Sequence, residues 1–132
     1  MSKDYTKLRV WELADKLAIM VYQLTKSFPK SELFGLTSQM RRAAVSVPGN
    51  IAEGSGRKYQ KEFLQFLYIS SSSLKELSYY IHLSKNLGYF RDEDYEKVYP
   101  LSEEVGRTLR GLITRIEEDL KIAHSYKLQA KK

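Results

Sequence analysis

Leu36-Thr37-Ser38-Gln39-Met40-Arg41-Arg42-Ala43-Ala44-Val45-Ser46-Val47-Pro48-Gly49-Asn50-Ile51-Ala52-Glu53-Gly54 is the stretch that decides the fold. Its apolar positions Leu36, Met40, Ala43, Val47 and Ile51 recur at helical steps, so their side chains return to one side of an α-helix. Pro48 lies inside the stripe and removes one backbone hydrogen bond. The periodicity resumes at once beyond it, so a kink is expected there and not an end. Gly54-Ser55-Gly56 then supplies a flexible stop.

The same period extends outward in both directions. Toward the N-terminus, Val10, Leu13, Leu17, Val21 and Leu24, with Trp11, Ala14 and Ala18 beside them, give a helix from about Leu8 to Lys26. Ser27-Phe28-Pro29-Lys30-Ser31 breaks it, because proline cannot continue a helix and disfavours helical geometry in the residue before it. Toward the C-terminus, Phe63, Phe66, Leu67, Leu74, Leu77, Ile81 and Leu87 make a third stripe closed by Gly88. A fourth helix opens after Arg91-Asp92-Glu93-Asp94, where carboxylates suit a helix start. It continues through Val98, Leu101, Val105, Leu109, Leu112, Ile116 and Leu120, with a bend or brief interruption expected at Pro100. No window alternates as a strand would, and there is no internal repeat. The pattern predicts an all-α, antiparallel up-down-up-down four-helix bundle. One domain is expected over residues 1–126, followed by a basic, fraying tail at 127–132.

Composition agrees with a single packed domain: 132 residues, 42% hydrophobic and 29% charged. The absence of cysteine excludes disulfides, thiolate zinc sites and cysteine nucleophiles, and it fits a reducing, cytoplasmic setting. Met1-Ser2-Lys3-Asp4-Tyr5-Thr6-Lys7 does not read as a signal peptide, and the longest apolar run, Leu17 to Tyr22, is too short for a membrane span. The net charge of +6 is unevenly spread. Through Lys85, 13 basic residues face 7 acidic ones, whereas residues 86–126 carry 6 against 9. Such asymmetry can steer a polyanion to one face or bring neighbouring subunits together.

Catalytic chemistry is not indicated. His82 and His124 stand apart, neither in a Glu-x-x-His arrangement, so no metal or cofactor is expected. Gly49-Asn50-Ile51-Ala52-Glu53-Gly54-Ser55 resembles a phosphate loop only superficially, lacking the required lysine and the preceding strand. Glu53 with Asn50 has no second catalytic group. Ser70-Ser71-Ser72-Ser73 falls mid-helix, where small residues allow close helix approach and hydroxyls can bond to the preceding turn. Gln39 and Arg42 share a face, as do Asn50 and Glu53. They fit a structural network fixing register or a subunit contact, or a ligand or partner site. The chain has ten tyrosines. Tyr59, Tyr68, Tyr89, Phe90, Tyr95 and Tyr99 are expected near the ends of helices three and four, where a subunit interface could bury them.

Arg9-Val10-Trp11-Glu12-Leu13-Ala14, the stretch from Leu36 to Pro48, Asn50-Ile51-Ala52-Glu53-Gly54, Glu62-Phe63-Leu64-Gln65-Phe66-Leu67 and Ser73-Leu74-Lys75-Glu76-Leu77 follow one another in an order that resembles a known family. It is the family of bacterial four-helix-bundle proteins encoded in intervening sequences of 23S ribosomal RNA genes, also labelled S23 ribosomal protein, with relatives that accompany diversity-generating retroelements. The resemblance spans roughly residues 8 to 120. It implies a bundle assembling into a ring, typically a pentamer, and it does not imply an enzyme. For retroelement relatives it implies contact with nucleic acid and a reverse transcriptase. Gln39, Arg42, Asn50, Glu53 and Gly54 are the motif positions, with structural or interface roles.

The leading expectation is a homo-oligomeric adaptor binding structured RNA or DNA through phosphates, with Arg41, Arg42, Arg57, Lys58 and Lys61 as its contacts. The alternative is a protein-interaction module that binds no nucleic acid.

Overall fold

The computed structural model describes residues 4–131. Four helices carry the fold: α1 (Arg9–Leu24), α2 (Leu36–Ser55), α3 (Gln60–Asn86) and α4 (Asp92–Ala130). α1 packs on α2 and α4, and α3 packs on the same two, with α2 and α3 sharing the most extensive interface. This closed cycle of neighbours is the up-down-up-down bundle. Leu17, Val21, Met40, Val47, Ile51, Leu67, Leu77, Ile81, Val98, Val105 and Leu109 fill its centre, each at most 1% exposed.

The helix ends follow from local chemistry. α1 stops at Leu24 and tightens into a 3-10 turn at Thr25–Ser27, where the Thr25 hydroxyl donates to the Val21 carbonyl at 2.7 Å. Phe28 then takes the extended geometry that Pro29 imposes on its predecessor. α3 ends with Gly88 at φ +77°. Gly88 N–H donates to Lys85 O at 3.0 Å and Tyr89 N–H to Ser84 O at 2.9 Å. This paired closure needs the left-handed residue that glycine supplies. Pro48 sits inside α2 and Pro100 inside α4, and each helix runs through its proline without interruption.

Two expectations change. Gly54 is not a flexible stop: it lies inside α2, and a Cβ there would stand 2.6 Å from Phe66 Cβ and 2.9 Å from Phe63 Cδ1. Its hydrogen is what lets α3 lie against α2. The stretch expected to fray is helical through Ala130, with exposed side chains from Lys121 onward. Lys132, the last residue of that tail, lies outside the described residues.

The serine run also has a more specific role than small size. Ser70 Oγ donates across to Val47 O at 2.7 Å, and Ser73 Oγ meets Ser46 Oγ at 2.7 Å. These bonds run between α3 and α2, not back along α3.

Candidate nucleic-acid interface

The antiparallel order sets which residues meet at each end of the bundle. The α1–α2 and α3–α4 turns share one end. The α2–α3 turn, the start of α1 and the far part of α4 share the other.

The five expected contacts are divided between these ends. Arg41 and Arg57 are separated along α2 and its exit by about 24 Å at the helical rise of ~1.5 Å per residue. Arg41 is half-buried and occupied internally: its Nε donates to Thr25 Oγ1 at 2.9 Å, and its guanidinium lies 4.8 Å from the centre of the Tyr22 ring. It fastens α2 to the end of α1. Arg42 is exposed and joins no ion pair among the described residues.

Arg57, Lys58 and Lys61 lie at the α2–α3 end. Arg57 pairs with Glu53 at 2.9 Å and covers the Phe66 ring at 4.7 Å. Lys58 approaches the Tyr59 ring at 5.4 Å. Lys61, in the first turn of α3, lines a cleft of about 430 Å³ together with Gln65, Tyr68, His124 and Lys127, and among the described residues no carboxylate lines it. The Tyr68 hydroxyl donates to Glu117 at 2.5 Å. That bond holds the tyrosine proton and raises its pKa above the ordinary phenol value.

His124 and Lys127 lie outside the expected set of contacts. They follow Ile116, Leu120 and Ala123 at helical steps, and because α4 continues as helix they stand beside the start of α3. Extending the apolar period of α4 past Leu120 is the signal that reveals them.

The motif residues form a strip along α2. Gln39, Arg42, Ser46, Asn50 and Glu53 are spaced by three or four residues and so share one side. Asn50 Nδ2 donates to Ser46 O at 2.8 Å and Ser46 Oγ at 3.0 Å. Through Ser46 it joins the bond to Ser73, so Asn50 belongs to a network tying α2 to α3. Gln39 and Glu53 remain exposed.

The aromatic residues divide in the same way. Phe28 packs against Tyr89 and Phe90 at 5.3 and 5.2 Å between ring centres, making an intramolecular cap over the α3–α4 turn. Tyr95 stacks on Tyr99 at 5.2 Å. Tyr59 and Tyr68 are exposed at the opposite end. Glu32 ties the two turns together, accepting from Leu36 N–H at 3.2 Å and from the Tyr89 hydroxyl at 2.9 Å.

Among the described residues, no cluster of histidine, aspartate and glutamate could hold a metal ion. No described helix is long and apolar enough to cross a membrane. A separate groove of about 660 Å³ runs between α1 and α2, walled by Trp11, Ile19, Tyr22 and Val45 above Gly49 and Ala52.

The molecule is therefore a helical bundle with a basic cleft at one end and an apolar groove on one side. The chain belongs to the 23S rRNA-intervening sequence protein family, whose model matches residues 6–111. It is similar in fold to a protein of unknown function from the S23 ribosomal protein family of Bacteroides thetaiotaomicron VPI-5482. That similarity has a TM-score of 0.73 at 24% identity, covering 79% of this chain and 97% of the other. No curated protein sequence matches this chain significantly.

Proposed function

We propose that this chain is a non-catalytic, homo-oligomeric adaptor that binds structured RNA or DNA through its phosphates. The observation that carries the reading is the cleft between α3 and α4, where Lys61, His124 and Lys127 converge beside Tyr68, whose hydroxyl engages Glu117 at the rim. Arg57 and Lys58 stand on the loop that enters α3. Binding there releases counterions and reads the backbone more than the bases. The family's name, which refers to 23S rRNA intervening sequences, supports a nucleic-acid setting. A reverse transcriptase is the protein partner for a retroelement-linked member. The direct test is an anisotropy titration of the full chain with a stem-loop RNA and a DNA duplex at low salt. Binding that weakens in Lys61→Ala and Lys127→Ala supports the reading, and no detectable binding at low salt ends it.

The groove between α1 and α2 favours self-assembly as part of the same reading. Ile19 and Val45 on its walls are 51% and 45% exposed, while Ile122 and Tyr126 on α4 are 56% and 69% exposed. Two unpartnered apolar surfaces on different parts of one chain suit head-to-tail contact between copies, which closes into a ring when the rotation permits. Native mass spectrometry tests this, with Ile19→Asp and Ile122→Asp each expected to yield monomer.

A further inference from the structure

A second basic recess lies at the opposite end, where the chain turns from α1 into α2. Its volume is about 240 Å³, its walls include Lys26, Lys30, Leu33, Thr37 and Arg41, and among the described residues no carboxylate lines it. None of the three basic residues takes part in an ion pair among the described residues.

Thr37 is the unusual member. It is 3% exposed, and its hydroxyl is a buried side-chain polar atom without a hydrogen-bond partner. Native proteins rarely leave such a group unpaired, because burial costs it its water without a replacement. Thr37 also lies in the first turn of α2, where helix amides have no intrahelical acceptor. Glu32 takes the amide of Leu36, and the amides of Thr37 and Ser38 keep no acceptor among the described residues. The start of a long helix favours negative charge at that point.

We propose that this recess binds a phosphate group. The Thr37 hydroxyl donates to its oxygens, and Lys26, Lys30 and Arg41 neutralise its charge. Arg41 is already oriented by its bond to Thr25 Oγ1, so little side-chain freedom is lost when the anion arrives. The recess is independent of the α3–α4 cleft, since the two sites use different residues at different ends. The phosphate is either free in solution or the terminal phosphate of a nucleic acid.

The test is calorimetry of the full chain with inorganic phosphate at low ionic strength, against chloride at matched ionic strength. A thermal melt in each buffer accompanies it. Phosphate should bind and raise the melting temperature. Thr37→Val, which keeps the shape and removes a hydroxyl that makes no bond, should fold normally and bind phosphate about tenfold more weakly. Lys30→Ala, an exposed change, should also weaken it, while Lys75→Ala, an exposed change on α3 that lines neither cleft, should not. A parallel titration with 5′-phosphorylated and unphosphorylated oligonucleotide identifies the source: preference for the phosphorylated strand assigns a nucleic-acid end, and equal affinity assigns free phosphate. No phosphate effect beyond chloride, or wild-type phosphate binding by both Thr37→Val and Lys30→Ala, overturns the proposal.

Discussion

Gly54 of α2 and Phe66 of α3 lie so close that a methyl group on Gly54 would sit 2.6 Å from Phe66 Cβ. The next obstacle, Phe63 Cδ1, would stand at 2.9 Å. The glycine is therefore a packing residue at the crossing of the two helices with the largest shared surface. Gly54→Ala should destabilise the fold by about 1–3 kcal/mol despite alanine's better helix propensity, because overpacking outweighs the propensity gain. Chemical denaturation measures it. A stabilised variant would mean that α3 shifts freely.

Ser70 tests the same interface by hydrogen bonding. Its hydroxyl reaches Val47 O at 2.7 Å from a fully buried position. Ser70→Ala should cost about 1 kcal/mol, the usual net value of such a bond. Ser70→Leu should cost more, by forcing the helices apart. Equal midpoints for the two variants in urea would count against a close approach of α2 and α3.

Arg41 separates a fastening role from a binding one. Because it bonds Thr25 and covers Tyr22, Arg41→Ala should lower stability by about 1–2 kcal/mol. Oligonucleotide affinity at the α3–α4 cleft should stay within about twofold of the parent. A stable variant with strongly weakened binding at that cleft would place Arg41 among its contacts.

Asp94 gives the fold a pH dependence. It is 5% exposed, and Arg91 donates to both its oxygens at 3.0 and 3.1 Å. That hydrogen bonding holds its carboxyl below the usual value of 3.8. A depressed native pKa contributes stability that is present above the unfolded value and disappears as pH falls through the native one. Urea midpoints of the parent should therefore fall on acidification below about pH 4, and Asp94→Asn should remove part of that fall. Identical acid profiles for the two proteins would contradict this.

The four helices are legible in the sequence because each apolar stripe obeys one period, and a buried stripe leaves few alternatives for packing. What local pattern does not supply is the neighbour across the interface. Gly54 reads as a stop because glycine often ends helices, and only the presence of Phe63 and Phe66 shows that it excludes a side chain. Ser70 and Ser73 read as locally bonded because their partners, Val47 and Ser46, lie on another helix. The basic cleft is half legible. Lys61 stands in the basic run at the α2–α3 turn, whereas Lys127 falls in a stretch whose composition suggests a fraying end. A tail's composition does not disclose that helix geometry continues and brings it beside Lys61. Arg41 and Arg42 are near that run in sequence only, since a helix carries residues apart as fast as it brings the next turn into register.

Phosphate recognition between α3 and α4 is tested most directly by the salt dependence of duplex DNA binding, for the parent and for Lys61→Ala/Lys127→Ala. The parent should lose affinity linearly in log–log form as salt rises. The double variant should show a slope shallower by roughly two, one counterion for each lost phosphate contact. Salt-independent binding, or an unchanged slope in the variant, would contradict phosphate recognition at this cleft.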